Sequence, residues 1–194
     1  MGSLPAPDFA GLLARLALEL TARQLPYMLI GGQAVLLHGL PRLTEDIDLT
    51  LGVDPSALPL VRAVCDAIGL RPLPADPDRF VRETFVLPAR HSETGIRVDF
   101  VFSTTPYERQ AIQRAVTVTL AGAPVRFAAA EDLLIHKLFA ARPRDWEDAV
   151  GVARRSGRDV DWSYVEGWAR EFASIPGREA MAAQVAALRK EAGV

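Results

Sequence analysis

The sequence predicts an α/β fold, with a mixed β-sheet flanked by helices in the first two-thirds of the chain and an all-helical final third. Three observations predict it. Short runs between residues 27 and 127 alternate apolar with polar side chains, the period of half-buried strands. Stretches of helical period separate them at 8–24, 33–40, 55–68 and 105–114. From Ala130 onward only helical stretches follow, at 130–141, 144–156, 161–173 and 178–191, broken at Gly157, Pro176 and Gly177. The expected organisation is a core over 1–128 and a helical region over 129–194 packed on it as one compact domain.

Each element has a local reason. Phe9, Leu12, Leu13, Leu16 and Leu20 fall on one helical face, Asp8 is placed to cap it, and Pro26 ends it. Tyr27–Ile30 reads as a short apolar strand, Gly31-Gly32 as a tight turn, and 33–40 as a short helix stopped by Gly39 and Pro41. Residues 46–51 alternate strictly: Asp46, Asp48 and Thr50 on one face, Ile47, Leu49 and Leu51 on the other. Pro55 suits the first turn of the next helix. Two extended runs, 80–87 and 96–102, joined by a loop over 88–95, read as a hairpin. A second hairpin, 116–120 with 125–127, turns at Ala121-Gly122.

Composition narrows the function classes. The 194 residues are 49% apolar and 24% charged, enough for a real core, with a formal net charge of −2. A nucleic-acid partner therefore needs a local basic face rather than bulk charge. Cys65 is the single cysteine, so no internal disulfide forms and a reducing compartment is comfortable. No apolar stretch approaches the ~20 residues of a membrane span, and no secretory signal is evident, so a cytoplasmic protein is expected.

The informative segment is 31–49, GGQAVLLHGLPRLTEDIDL. Asp46 and Asp48 leave the same face of one strand, beside apolar residues that anchor it. Two carboxylates held side by side repel unless cations neutralise them, and their oxygens suit hard ions such as Mg²⁺ or Mn²⁺. Asp99 lies opposite the apolar row Val98, Phe100 and Phe102. If its strand pairs with 46–51, three carboxylates face one point and suit two metal ions ~3.5–4 Å apart, the arrangement for in-line phosphoryl displacement. Gly31-Gly32 lets backbone approach a ligand, and the helix after it offers unpaired N–H groups to phosphate. The glycine pair lacks the spacing of a dinucleotide fingerprint and the lysine of a P-loop. Taken singly, the glycine pair reads as a turn and the Asp-x-Asp as a solvated face.

These residues resemble the signature of the DNA polymerase β nucleotidyltransferase superfamily: a glycine pair, a helix, Asp-x-Asp, then a third Asp on a later strand. The form GG-x-A…HG…R-x-T-x-D-I-D-L is most similar to the bacterial AbiEii/MenT-like group. Residues 132–148, DLLIHKLFAARPRDWEDA, resemble that group's later motif, a lysine-bearing helix followed by an Arg/Asp pattern. The resemblance implies a mixed-sheet nucleotidyltransferase fold and transfer of NMP from an NTP to an acceptor hydroxyl, with two Mg²⁺ or Mn²⁺ ions. Asp46 and Asp48 would hold both metals. Asp99 would hold the catalytic one and help deprotonate the acceptor. Gly31 and Gly32 would hold phosphates, and Lys137 would stabilise triphosphate charge. Asp145 and Asp148 would organise that lysine or contact substrate. Gly32 stands where many superfamily members carry serine, so a hydroxyl contact to phosphate is missing.

The acceptor stays open. The AbiEii/MenT-like resemblance implies a toxin of a toxin–antitoxin pair acting on tRNA, with a cognate antitoxin as partner; other superfamily members modify a protein or an antibiotic. A non-catalytic partner-binding module and a metal-dependent phosphohydrolase are the rival readings. Arg42 precedes the carboxylates and suits a phosphate or Asp46, and Thr44 suits the same segment or simply orders the turn. Lys137 borders a core-facing stripe, where a snorkelling lysine is the plain alternative. Asp145 and Asp148 also suit pairing with Arg142 and Arg144. Arg142, Arg144, Arg154, Arg155 and Arg158 are the candidate basic patch.

Overall fold

The computed structural model describes residues 8–39, 41 and 43–194. In chain order the elements are α1 (Phe9–Ala22), β1 (Tyr27–Ile30), α2 (Gly31–His38), β2 (Asp46–Leu51), a 3₁₀ turn (Pro55–Ala57), α3 (Leu58–Ile68), β3 (Leu70–Pro72) and α4 (Pro77–Thr84). Then come β4 (Val86–His91), β5 (Arg97–Phe102), α5 (Pro106–Arg114), β6 (Val116–Leu120), β7 (Ala123–Phe127), α6 (Ala130–Ala140), α7 (Pro143–Ser156), α8 (Trp162–Phe172) and α9 (Met181–Ala192). The chain divides into two compact units. One joins the stretch ending at Leu29 to Thr44–Phe127, and the other joins Ile30–Leu43 to Ala128–Val194.

The first unit holds the sheet, seven strands in the order β3-β4-β5-β2-β1-β7-β6. β2 runs parallel to β5 and β1 parallel to β7, while β3–β4, β4–β5 and β6–β7 are antiparallel. The fold is thus the mixed α/β architecture expected. α1 starts where Asp8 accepts a hydrogen bond from the Gly11 amide at 2.8 Å. Its apolar stripe, Leu12, Leu16 and Leu20, is at most 2% exposed, and α1 packs on β6, β7 and α3. Each such leucine stabilises the unit by about 2 kcal/mol through burial. α3 contributes Val61, Val64 and Cys65 to the core. Burial pushes the Cys65 thiol up to about 12, so it is an inert packing group rather than a nucleophile.

The structure departs from the sequence reading over residues 70–91 and at Gly31-Gly32. Residues 80–87 are not a strand; most of them belong to α4. Asp76 caps that helix by accepting from the Arg79 amide at 3.0 Å, Pro77 fills its first position, and Phe85 ends it in the left-handed region at φ 59°. The aromatic and β-branched residues of 80–87, which favour extended chain, concealed this Asp-Pro start signal. β4 then takes 86–91, and the expected loop over 88–95 shrinks to a turn closed by the His91 amide donating to Ile96 at 2.8 Å. β3 is only three residues long, too short to show a period. Gly31-Gly32 is the first turn of α2 rather than a separate turn, entered at φ 62° on Gly31, a conformation that favours glycine.

The second unit is helical: α2 packs on α6 and α7, and α6–α9 pack among themselves. The C-terminal end of α2 has its carbonyls satisfied by α7. Ser156 Oγ donates to His38 O at 3.0 Å and Arg155 to Gly39 O at 2.8 Å. The His38 ring donates through Nε2 to Ala128 O at 2.8 Å. Among the described residues no helix is long and apolar enough to cross a membrane. A methyl group at Gly39 would lie 3.0 Å from Val152 Cγ2 and 3.1 Å from the Val35 carbonyl oxygen. Gly39→Ala is therefore expected to lower stability by about 1–3 kcal/mol in a urea titration, and an unchanged midpoint would show that the helices separate without cost.

Candidate active site

Three of the sequence-selected carboxylates come together in the first unit. β2 and β5 pair in parallel, with Asp46 opposite Arg97, Asp48 opposite Asp99 and Thr50 opposite Val101. Between them Ile47, Leu49 and Leu51 face Val98, Phe100 and Phe102, all at most 2% exposed. That apolar row fixes the register, because a slip of one residue would carry the charges into the core. Paired strands lie about 4.8 Å apart, so Asp48 and Asp99 are immediate neighbours on the half-buried face. Asp46 and Asp48 are themselves half-buried, whereas Thr50 is 2% exposed. Thr44 Oγ1 lies 3.3 Å from Asp46 Oδ1 and 3.4 Å from Asp46 O, so it orders the entry to β2. Arg42 lies outside the described residues.

One member of this face was missed in the sequence. Arg97 Nε donates to Asp99 Oδ1 at 2.8 Å. That hydrogen bond raises the guanidinium above its ordinary value, and the charges of Asp99, Asp46 and Asp48 push the same way against the effect of burial. The signal was available: Arg97 stands two residues before Asp99 in an alternating strand, hence on the same side. The three carboxylates are hard oxygen donors that fit a divalent cation in kind and in sharing one face. Among the described residues, no three His, Cys, Asp or Glu side chains converge as a metal cage, and Asp99 is engaged by Arg97.

The second unit holds the remaining candidates. α2 opens on Gly31 and Gly32, and its N-cap residue, Ile30, makes no side-chain hydrogen bond to its first amide groups. Lys137, only 8% exposed in the last turn of α6, reaches both α7 carboxylates: Asp145 Oδ1 at 2.7 Å and Asp148 Oδ2 at 2.8 Å. The short link between the two helices explains the contact. Ala141 takes the left-handed conformation at φ 55°, and Pro143 starts α7, so the first turn of one helix meets the last turn of the other. Cation at a C-terminus and carboxylate at an N-terminus are each favoured by the helix dipoles. Asp145 also accepts from the Arg142 amide at 3.4 Å. A cavity of about 290 Å³ borders Lys137, Arg142, Trp146 and Gln184. The candidate basic patch is partly spent on structure, since Arg144 donates to Leu43 O and Arg155 to Gly39 O.

A profile of the family described as nucleotidyl transferase AbiEii toxin, type IV toxin–antitoxin system, matches residues 11–189. The chain belongs to the AbiEii nucleotidyl transferase toxin family. A search among curated proteins returned no match. Among solved structures, the antibiotic-resistance factor ANT(2'')-Ia is similar at TM-score 0.56 and 19% identity, over 93% of this chain and 95% of that one. An antigenic nucleotidyltransferase-like protein from Paracoccidioides brasiliensis is similar at TM-score 0.53 and 18% identity, over 74% of each chain. A putative nucleotidyltransferase from H. pylori matches at TM-score 0.53 and 16% identity, over 99% of this chain and 96% of that one. At these identities the likeness is one of fold.

Two outcomes follow for the AbiEii-family helical unit. Lys137→Ala removes the ammonium shared by two buried carboxylates and is expected to cost about 3–5 kcal/mol in equilibrium unfolding, partly restored by adding Asp148→Asn. An unchanged stability would mean that water already screens the pair. Burial, with the Lys137 charge second, lowers His136 to about 4, and burial also lowers His38. The unfolded chain therefore binds more protons than the folded one between the ordinary histidine value and those lowered ones. Stability should fall as pH drops from about 6.5 to about 4. His136→Gln should flatten that slope in thermal melts.

Proposed function

We propose that this AbiEii-family chain is a metal-dependent nucleotidyltransferase that moves NMP from an NTP to an acceptor hydroxyl, releasing pyrophosphate. The observation that carries the proposal is the parallel β2–β5 register, which sets Asp48 directly opposite Asp99 with Asp46 on the same face. In this reading Asp46, Asp48 and Asp99 hold two Mg²⁺ or Mn²⁺ ions. When bound, the ions supply charge stabilisation for the transferring phosphoryl group and a lowered pKa for the acceptor hydroxyl. Asp99, on its own strand, is the carboxylate suited to take the acceptor proton. Gly31 and Gly32 offer backbone N–H groups to phosphate oxygens from the start of α2. The family resemblance assigns Lys137 to triphosphate charge; Asp145 and Asp148 keep it in one orientation, and a cavity borders it.

For the acceptor we propose RNA, with a tRNA 3′ end as the substrate of a toxin and a cognate antitoxin that restrains it. Membership of a type IV toxin–antitoxin family supports this reading. The net charge of −2 restricts the RNA contact to a local surface. A cytoplasmic location is proposed with it.

The test is to incubate the protein with Mg²⁺, each labelled NTP in turn, and total bacterial RNA. Label is expected to move to RNA, and Asp48→Ala is expected to reduce transfer on the order of 10²–10³-fold. Should label stay free while Mg²⁺ and NTP at about 100 times Kd still stabilise the wild type by about 2.7 kcal/mol, the acceptor is a protein or small molecule. Absence of both transfer and stabilisation would leave a partner-binding module.

A further inference from the structure

Among the described residues, a guanidinium stands on the carboxylate face of β2 and β5. Arg97 stands in register with Asp46 and donates to Asp99, which is only 18% exposed in its side chain. Three carboxylates sharing one face without a neutralising partner would repel one another. Arg97 supplies that partner from within the strand. It is 47% exposed in its side chain, so it is free to turn toward solvent without unpacking the core. The apolar row on the opposite face sets the strand register, so Arg97 is not needed for the pairing itself.

We propose that Arg97 is a resident counter-cation for Asp99: it holds that carboxylate while no metal is bound and is displaced from it when a divalent ion is taken up. The inference rests on the metal-dependent reading of the same carboxylates. Arg97 then acts as a positioning residue. It keeps Asp99 from folding onto Asp48, and it sets a threshold on metal uptake, because a guanidinium and a dication compete for the same oxygens. Release of Asp99 brings the third carboxylate into play only when a stronger cation is present.

The experiment is a Mn²⁺ titration followed by calorimetry and electron paramagnetic resonance, on nucleotide-free protein at low ionic strength. It compares wild type, Arg97→Gln, Arg97→Lys and Asp48→Asn. Arg97→Gln is expected to bind Mn²⁺ on the order of tenfold more tightly than wild type, while Arg97→Lys, which keeps the charge, stays within about threefold. Without metal, Arg97→Gln should melt below wild type, and Mn²⁺ should stabilise it more. Equal Mn²⁺ affinity in wild type and Arg97→Gln overturns the proposal. So does equal tightening in Arg97→Lys, since charge would then not be the cause. If neither the wild type nor Arg97→Gln binds Mn²⁺, or Asp48→Asn binds it as well as wild type, the metal-dependent reading itself falls, and the proposal with it.

Discussion

Everything at the candidate site depends on the parallel pairing of β2 with β5. Six consecutive residue pairs align, and apolar and charged pairs alternate down the ladder as far as Asp48–Asp99. The apolar pairs drive burial. The charged pairs are carried along on the other side by the period of two. Hydrophobic burial therefore holds carboxylates together against their mutual repulsion. The electrostatic strain of that face is eased locally by Arg97, which donates to Asp99 at 2.8 Å.

The helical unit solves a related problem in a different way. Lys137 meets two carboxylates in a nearly dry position, and Arg142 approaches one of them, Asp145, at 3.9 Å. Buried charges of this kind are poor sources of stability but severe liabilities when a partner is lost. Their geometry follows from two helix ends meeting across a short link, where both helix dipoles favour the signs present. In the proposed chemistry the same rigidity would hold the lysine in one orientation.

Much of this was legible in the sequence, for physical reasons. β1 and β2 have the limits expected, since four apolar residues before a glycine pair and a strictly alternating hexad leave little freedom. The β6–β7 turn was equally plain, because Ala121 and Gly122 both sit at positive φ, as a tight hairpin requires. Placing Asp99 beside Asp48 needed only the pairing of two alternating strands. The stretch around α4 was not legible, because the aromatic and β-branched residues of FVRETFVL favour a strand while its fate is decided upstream by Asp76-Pro77. Arg97 was overlooked because attention to carboxylates passed over the cation on the same face. The grouping of Ile30–Leu43 with the C-terminal helices rests on contacts remote in sequence, such as Arg155 to Gly39, which no local pattern reveals.

The central claim is that the β2–β5 carboxylate face is a divalent-metal centre for nucleotidyl transfer. A crystal structure with Mn²⁺ and a non-hydrolysable NTP tests it most directly, through the anomalous signal of the metal. The account expects manganese bound to Asp46, Asp48 and Asp99 at about 2.0–2.3 Å from their oxygens, with Arg97 turned away from Asp99. Manganese bound elsewhere, or nucleotide bound with these carboxylates untouched and Arg97 still on Asp99, would contradict it.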